Sequence, residues 1–224
     1  MFKVEDLAPY KIVPVIAIDD VAHALPLADA LIAGGLPVAE ITFRSAVAAE
    51  VIRTIARERP QMIVGAGTVL SQETLDQAKA CGARFGVAPG LNPRVVQHAL
   101  ASGFSFIPGI SNATDIEAAL ELGCKLLKFF PAEVAGGAKM VSALSAPYQH
   151  TGVKFMPTGG LTLEKLDDYF QIKTVMVCGG TWIAKKEDMV AGRWDVITAH
   201  CKALAEHFSK LKDKEGDSRF IRNA

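Results

Sequence analysis

Short apolar runs and longer amphipathic stretches alternate along the chain, with glycine or proline at the junctions. The apolar runs are KIVPVIAI (11–18), VAEITF (38–43), MIVGAG (62–67), FGVAP (85–89), FSFIP (104–108), KLLKFF (125–130), VKFMP (153–157) and TVMVCG (174–179). Bounded by turn residues, they predict eight strands. The stretches between them carry helix signals. Ser45 is placed to cap AVAAEVIRTIARE and Ser71 to cap QETLDQAKA. Pro93 suits the first turn of RVVQHALA, and Thr162 precedes LEKLDDYF. Gly82, Gly103 and Gly123 each follow a helical run closely, where a helix C-terminus favours glycine.

The strands recur about every 25 residues, the length of one βα unit with short loops. Eight such units with no linker predict an α/β fold, a single (β/α)8 TIM barrel over residues 1–208. An open doubly wound sheet is the alternative, but it usually has fewer strands and a Gly-rich first turn. GAG at 65–67 is not that turn, because position 70 is Leu. Residues 209–224, SKLKDKEGDSRFIRNA, are half charged and predicted as a frayed helix end and a solvated tail.

Composition narrows the function. Of 224 residues half are hydrophobic, and 24 basic side chains balance 24 acidic ones. A neutral chain has no overall attraction for nucleic acid or an anionic membrane surface. The longest apolar stretch, residues 12–18, is far short of the ~20 residues that span a bilayer. No apolar leader is visible at the N-terminus, so a cytoplasmic protein is expected. Cys81, Cys124, Cys178 and Cys201 are too sparse for a disulfide framework and read as buried reduced thiols. His98, His200 and His207 fall in predicted helices, His23 lies near the first, and His150 precedes the seventh strand. No metal site is expected. Trp182 and Trp194 read as packing residues, with Trp182 near enough to a glycine turn to line a site there.

A barrel of this kind places its chemistry at the C-terminal ends of its strands. On the second strand Ala39, Ile41 and Phe43 share one face, and Val38, Glu40, Thr42 and Arg44 the other. Parallel barrel strands are covered on both sides, so Glu40 is either functional or paired inside. Lys128 is embedded in LLKFFP on the sixth strand. Burial there strips the ammonium of water and favours the neutral amine, the form that makes a Schiff base. A structural ion pair with Glu40 explains Lys128 equally well from spacing alone. Lys125, on the opposite parity, is expected at the surface. Two glycine pairs, Thr158-Gly159-Gly160 and Gly179-Gly180-Thr181, follow the seventh and eighth strands, where barrel loops often bind phosphate.

The segments KIVPVIAI, EITFRS, VGAGTVL, APGLNP, IPGIS, KFFPAE, PTGG and CGGTW, in order from about 11 to 183, resemble the class I aldolases. Those aldolases cleave 2-keto-3-deoxy-6-phosphogluconate (KDPG), an Entner–Doudoroff intermediate, and 4-hydroxy-2-oxoglutarate (KHG). The resemblance implies that Lys128 forms the Schiff base and Glu40 is the general acid/base. It implies that Arg44 and Thr68 hold the carboxylate and keto region, and that Pro89, Phe130 and Thr158 line the substrate pocket. It assigns the phosphate to Gly159, Gly160, Gly179, Gly180 and Thr181, with Thr181 standing where serine is usual. It also implies a small 2-keto acid substrate, no cofactor and a homotrimer. A KDPG-galactonate epimer as substrate, a sugar-phosphate isomerase using Glu40 alone, and a non-catalytic phosphate-binding barrel are the alternatives.

Overall fold

The computed structural model describes residues 2–220, and the side chains of 211–220 lie outside that description. Among the described residues nine strands run in parallel: β1 (Ile12–Ile16), β2 (Val38–Thr42), β3 (Ile63–Gly67), β4 (Phe85–Val87), β5 (Ser105–Ile107), β6 (Gly109–Ile110), β7 (Leu126–Phe129), β8 (Lys154–Pro157) and β9 (Cys178–Gly180). The α-helices among the described residues lie between and after them: α1 (Ala24–Ala33), α2 (Ala48–Glu58), α3 (Gln72–Ala80), α4 (Pro93–Ala101), α5 (Ala113–Glu121), α6 (Gly137–Ser145), α7 (Leu166–Phe170), α8 (Lys186–Val190) and α9 (Trp194–Phe220).

The strands pair as β5-β4-β3-β2-β1-β9 and β6-β7-β8. β5 lies within the predicted fifth strand, 104–108, and β6 carries the same wall position past its predicted end. Pro108 separates them because it has no N–H to give the ladder, while its carbonyl still accepts from Lys128 N–H at 2.8 Å. Single bridges, Phe155 to Val175 and Thr158 to Gly179, bring β8 against the last strand. Eight strand positions therefore close into a parallel α/β barrel. The eighth corrects the prediction: residues 174–177 pair only at Val175, and the ladder lies at Cys178–Gly180.

Local signals hold at most helix ends. The Ser71 side chain accepts from Thr74 N–H, and Pro93 opens α4 behind an Asn92 cap. Gly82, Gly103 and Gly123 take φ of 97°, 64° and 85°. Each makes the same paired turn, as in Gly123 N–H to Leu120 O and Cys124 N–H to Ala119 O, both 2.9 Å. The Thr162 side chain makes no cap bond, and Ser45 is a second exception. It caps nothing, and its hydroxyl donates to Ile18 O at 2.6 Å, tying the β2 loop to the β1 loop.

The lumen is filled by alternating large and absent side chains. A Cβ on Gly65 would sit 2.3 Å from the Phe85 ring, so that ring lies across the β3 backbone. Phe2 stacks on Phe85 at 5.6 Å, and Ser105 Oγ donates to Phe2 O, so the N-terminal segment covers the starts of β4 and β5. α9 packs on α1 where Gly34 lets Cys201 approach, and it carries the charged segment onward to Phe220. Residues 221–224 of the predicted tail lie outside the described residues.

Candidate active site

The parity read from β2 places its residues as expected. Glu40 is fully buried and Thr42 2% exposed, both toward the lumen. Lys128, on β7, is 6% exposed, and its Nζ donates to Glu40 Oε1 at 3.2 Å. The two residues are 88 apart in sequence. Lys125 is at the surface, as its parity required. Glu40 Oε2 is also buried, with no hydrogen-bond partner among the described residues. Buried carboxylate oxygens are normally satisfied, so this one marks an acceptor held ready.

A cavity of about 260 Å³ opens above the pair, lined by Val15, Glu40, Thr42, Arg44, Thr68, Pro89, Lys128, Phe130, Thr158 and Thr181. Glu40, Lys128 and Thr158 are buried in it, whereas Arg44, Pro89 and Thr181 are exposed. Every catalytic and substrate-binding residue predicted from the sequence is in that lining. Val15 and Thr42 were not predicted. Thr42 carried a signal, since it shares the Glu40 face of the strand. Its hydroxyl donates to Ile16 O at 3.0 Å and accepts from Arg44 Nε at 3.2 Å. That chain holds Arg44 by one nitrogen and leaves its terminal nitrogens for a carboxylate.

Two glycines act through the space they leave. A Cβ on Gly67 would lie 2.2 Å from Glu40 Oε1, so the Glu40 carboxylate occupies the place of that missing side chain. Thr68 follows with φ of 58°, a left-handed conformation unusual for a β-branched residue, which brings it into the cavity lining. Gly179 plays the same part for Thr158, whose Oγ1 would be 2.3 Å from a Cβ there.

The two glycine pairs differ in build. Gly159 and Gly160 form a turn with φ of 104° and 79°. The carbonyls of Thr158 and Gly159 accept from Ala132 N–H at 2.8 Å and Glu133 N–H at 3.0 Å. In a planar trans peptide the N–H points opposite to the carbonyl. The Gly159 and Gly160 N–H groups therefore face away from that tether, and among the described residues neither meets an acceptor. Consecutive free amides of this kind make an anion-binding concavity. Gly179 and Gly180, by contrast, lie inside β9 rather than after it. They are small because Thr158, Ile12 and Ile183 press against them, not because a turn needs positive φ. None of the four glycines lines the cavity itself, although Thr158 and Thr181 beside them do.

The remaining candidates stand apart. Trp182 does not reach the cavity lining. Its ring packs edge-on to His200 at 5.7 Å and its Nε1 is buried. Trp194 packs on His23. His98 bonds Asp76, His207 bonds Asp167, and His200 bonds Ile183 O, each on the helical layer. No group of three or more His, Cys, Asp or Glu placed to hold a metal ion occurs among the described residues.

A parallel barrel that holds an interior lysine against a carboxylate has the groups that imine chemistry uses. Residues 4–200 match the family model for KDPG and KHG aldolase, and the chain belongs to that family. A 2-dehydro-3-deoxy-phosphogluconate aldolase of Treponema pallidum (strain Nichols) is 48% identical over 195 residues, 87% of this chain and 92% of the relative. The KHG/KDPG aldolase of Escherichia coli (strain K12) is 40% identical over 87% of this chain and 91% of its own. Among solved structures, the KDPG aldolase of Legionella pneumophila, with pyruvate captured at low pH as a covalent carbinolamine, matches with a TM-score of 0.83. It is 36% identical and the match covers 87% of this chain and 93% of that one.

Proposed function

We propose that the protein is a class I aldolase that cleaves KDPG to pyruvate and glyceraldehyde 3-phosphate, and KHG to pyruvate and glyoxylate. The observation that carries this reading is the buried contact of Lys128 Nζ with Glu40 Oε1 at the floor of the cavity. Relatives named for these substrates, at 40–48% identity, support it.

The chemistry uses this chain's own side chains. A proton passed along the 3.2 Å contact leaves Lys128 as an amine and Glu40 as an acid. The amine adds to the C2 ketone to give a carbinolamine. Glu40 returns its proton to the carbinolamine hydroxyl, water leaves, and an iminium forms. Glu40, again a carboxylate, takes the C4 hydroxyl proton. The C3–C4 electron pair then moves into the iminium, the aldehyde departs and an enamine remains. Protonation at C3 and hydrolysis release pyruvate and restore Lys128. Arg44 pairs with the substrate carboxylate and Thr68 holds the keto region. Pro89, Phe130 and Thr158 shape the pocket wall. The phosphate sits at Gly159 and Gly160, with Gly179, Gly180 and Thr181 beside it.

The test is pyruvate with borohydride, read by peptide mass spectrometry. A reduced pyruvyl adduct on Lys128, absent in Lys128→Ala, is expected. No adduct on the folded protein would move the assignment to an isomerase using Glu40 alone. The catalytic unit is residues 1–208, acting in the cytoplasm as a homotrimer, and light scattering on the eluting protein should give the mass of three chains. Among the described residues no helix is long and apolar enough to cross a membrane.

A further inference from the structure

Glu133 lies outside the cavity lining, yet it touches the glycine turn through both its backbone and its Cβ. Its N–H donates to Gly159 O at 3.0 Å. Its Cβ would stand 2.8 Å from a Cβ on Gly160, so the turn rests directly on it. Its carboxylate is gripped from α7 and the 3-10 turn before it: Tyr169 Oη donates to Oε1 at 2.5 Å, and Lys165 Nζ pairs with Oε2. Tyr169 is 1% exposed, and Glu133 is the acceptor its hydroxyl reaches. The β7 loop, the turn after β8 and α7 thus meet at one side chain.

We propose that Glu133 is a positioning residue that sets affinity for the phosphorylated end of the substrate. It does so by holding the Thr158–Gly160 turn with both free amides on one side. This rests on the aldolase reading above and on the phosphate lying at that turn. The backbone bond alone fixes the direction of the Gly159 carbonyl. The carboxylate fixes where the Glu133 backbone itself sits, because Tyr169 and Lys165 are anchored by a different element. Releasing the carboxylate frees the turn to relax, which spreads the two amides over orientations that an anion must then reorder. Lys128, Glu40 and Arg44 are untouched by that release, so pyruvate handling is unaffected.

The experiment compares wild type with Glu133→Gln, Tyr169→Phe and Lys165→Arg. KM and kcat are measured for KDPG, and the pyruvate concentration dependence of borohydride trapping at Lys128 supplies a phosphate-free comparison. Losing a charge-assisted contact predicts a KDPG KM higher by roughly tenfold in Glu133→Gln and Tyr169→Phe. Their kcat and pyruvate trapping should stay at the wild-type value. Lys165→Arg keeps a charged donor and should keep the wild-type KM. Tyr169→Phe removes one oxygen from a packed ring, so it retains the fold if Glu133→Gln does not. An unchanged KDPG KM in Tyr169→Phe, or a parallel weakening of pyruvate trapping, overturns the inference. A wild type that neither cleaves KDPG nor traps pyruvate overturns the aldolase reading instead, and this inference with it.

Discussion

Position by position, the site depends as much on absent atoms as on reactive ones. Glu40 and Lys128 stood out in the sequence because a charge in an apolar strand must be explained. Gly67 did not, since a glycine in a strand reads as a weak point. Its role follows from the 2.2 Å that separates a hypothetical Cβ from Glu40 Oε1. Gly67→Ala should therefore displace the carboxylate and lower kcat roughly a hundredfold, while circular dichroism stays at the wild-type signal. Wild-type kcat in that variant would show that Glu40 has room to move. The thiols offer a second check. Burial pushes Cys124 up to about 11 and Cys201 up to about 12, and raises Cys178 and Cys81 as well. Such thiols stay protonated and unreactive. Iodoacetamide at pH 8 should label none of the four in the folded protein and all four after denaturation, as mass spectrometry would count.

Among the secondary elements, the helix ends were legible where one residue decides the geometry. Gly123 takes φ of 85° in open space, so Gly123→Ala tests backbone conformation alone. It should cost about 1 kcal/mol in a urea titration. Ser45 misled because its hydroxyl bonds to a carbonyl of the neighbouring βα loop, a partner that no local pattern reveals. Pro108, the predicted end of the fifth strand, only interrupts that wall position, because its carbonyl keeps the barrel paired and β6 follows it. The grip between elements at Glu133 carries a pH signature. Burial pushes its carboxyl up, but the hydrogen bonds from Lys165 and Tyr169 and the Lys165 charge outweigh that and leave it below the ordinary 4.5. A lowered value in the folded state means stability is fully present above the unfolded value and is lost as pH falls through the folded one. The stability gap between wild type and Glu133→Gln should therefore be constant near neutrality and shrink below about pH 4.5, which urea midpoints across pH would read.

Across the whole molecule, the Lys128–Glu40 contact joins two strands on opposite parts of the barrel wall, 88 residues apart. Removing one member of a buried pair leaves the other uncompensated. Lys128→Met should cost about 3–5 kcal/mol of stability, and adding Glu40→Gln should recover most of it. A Lys128→Met protein as stable as wild type would show that water reaches Glu40. The sequence by itself determined the barrel, the strand on which each charge sits and the face toward which it points. Strand periodicity and unit length act locally and leave one economical way to bury eight apolar runs. It also marked the residues that line the cavity, Val15 and Thr42 excepted. Tertiary structure decided what those residues do to one another. The 3.2 Å pairing and the Arg44–Thr42–Ile16 chain are contacts across the barrel or between adjacent strands. So are the glycines that make room for Glu40 and Thr158, and the carbonyl tether that turns the Gly159 and Gly160 amides to one side. Such contacts depend on distances that exist only once the barrel closes, and no local pattern in the chain encodes a distance between residues 88 apart.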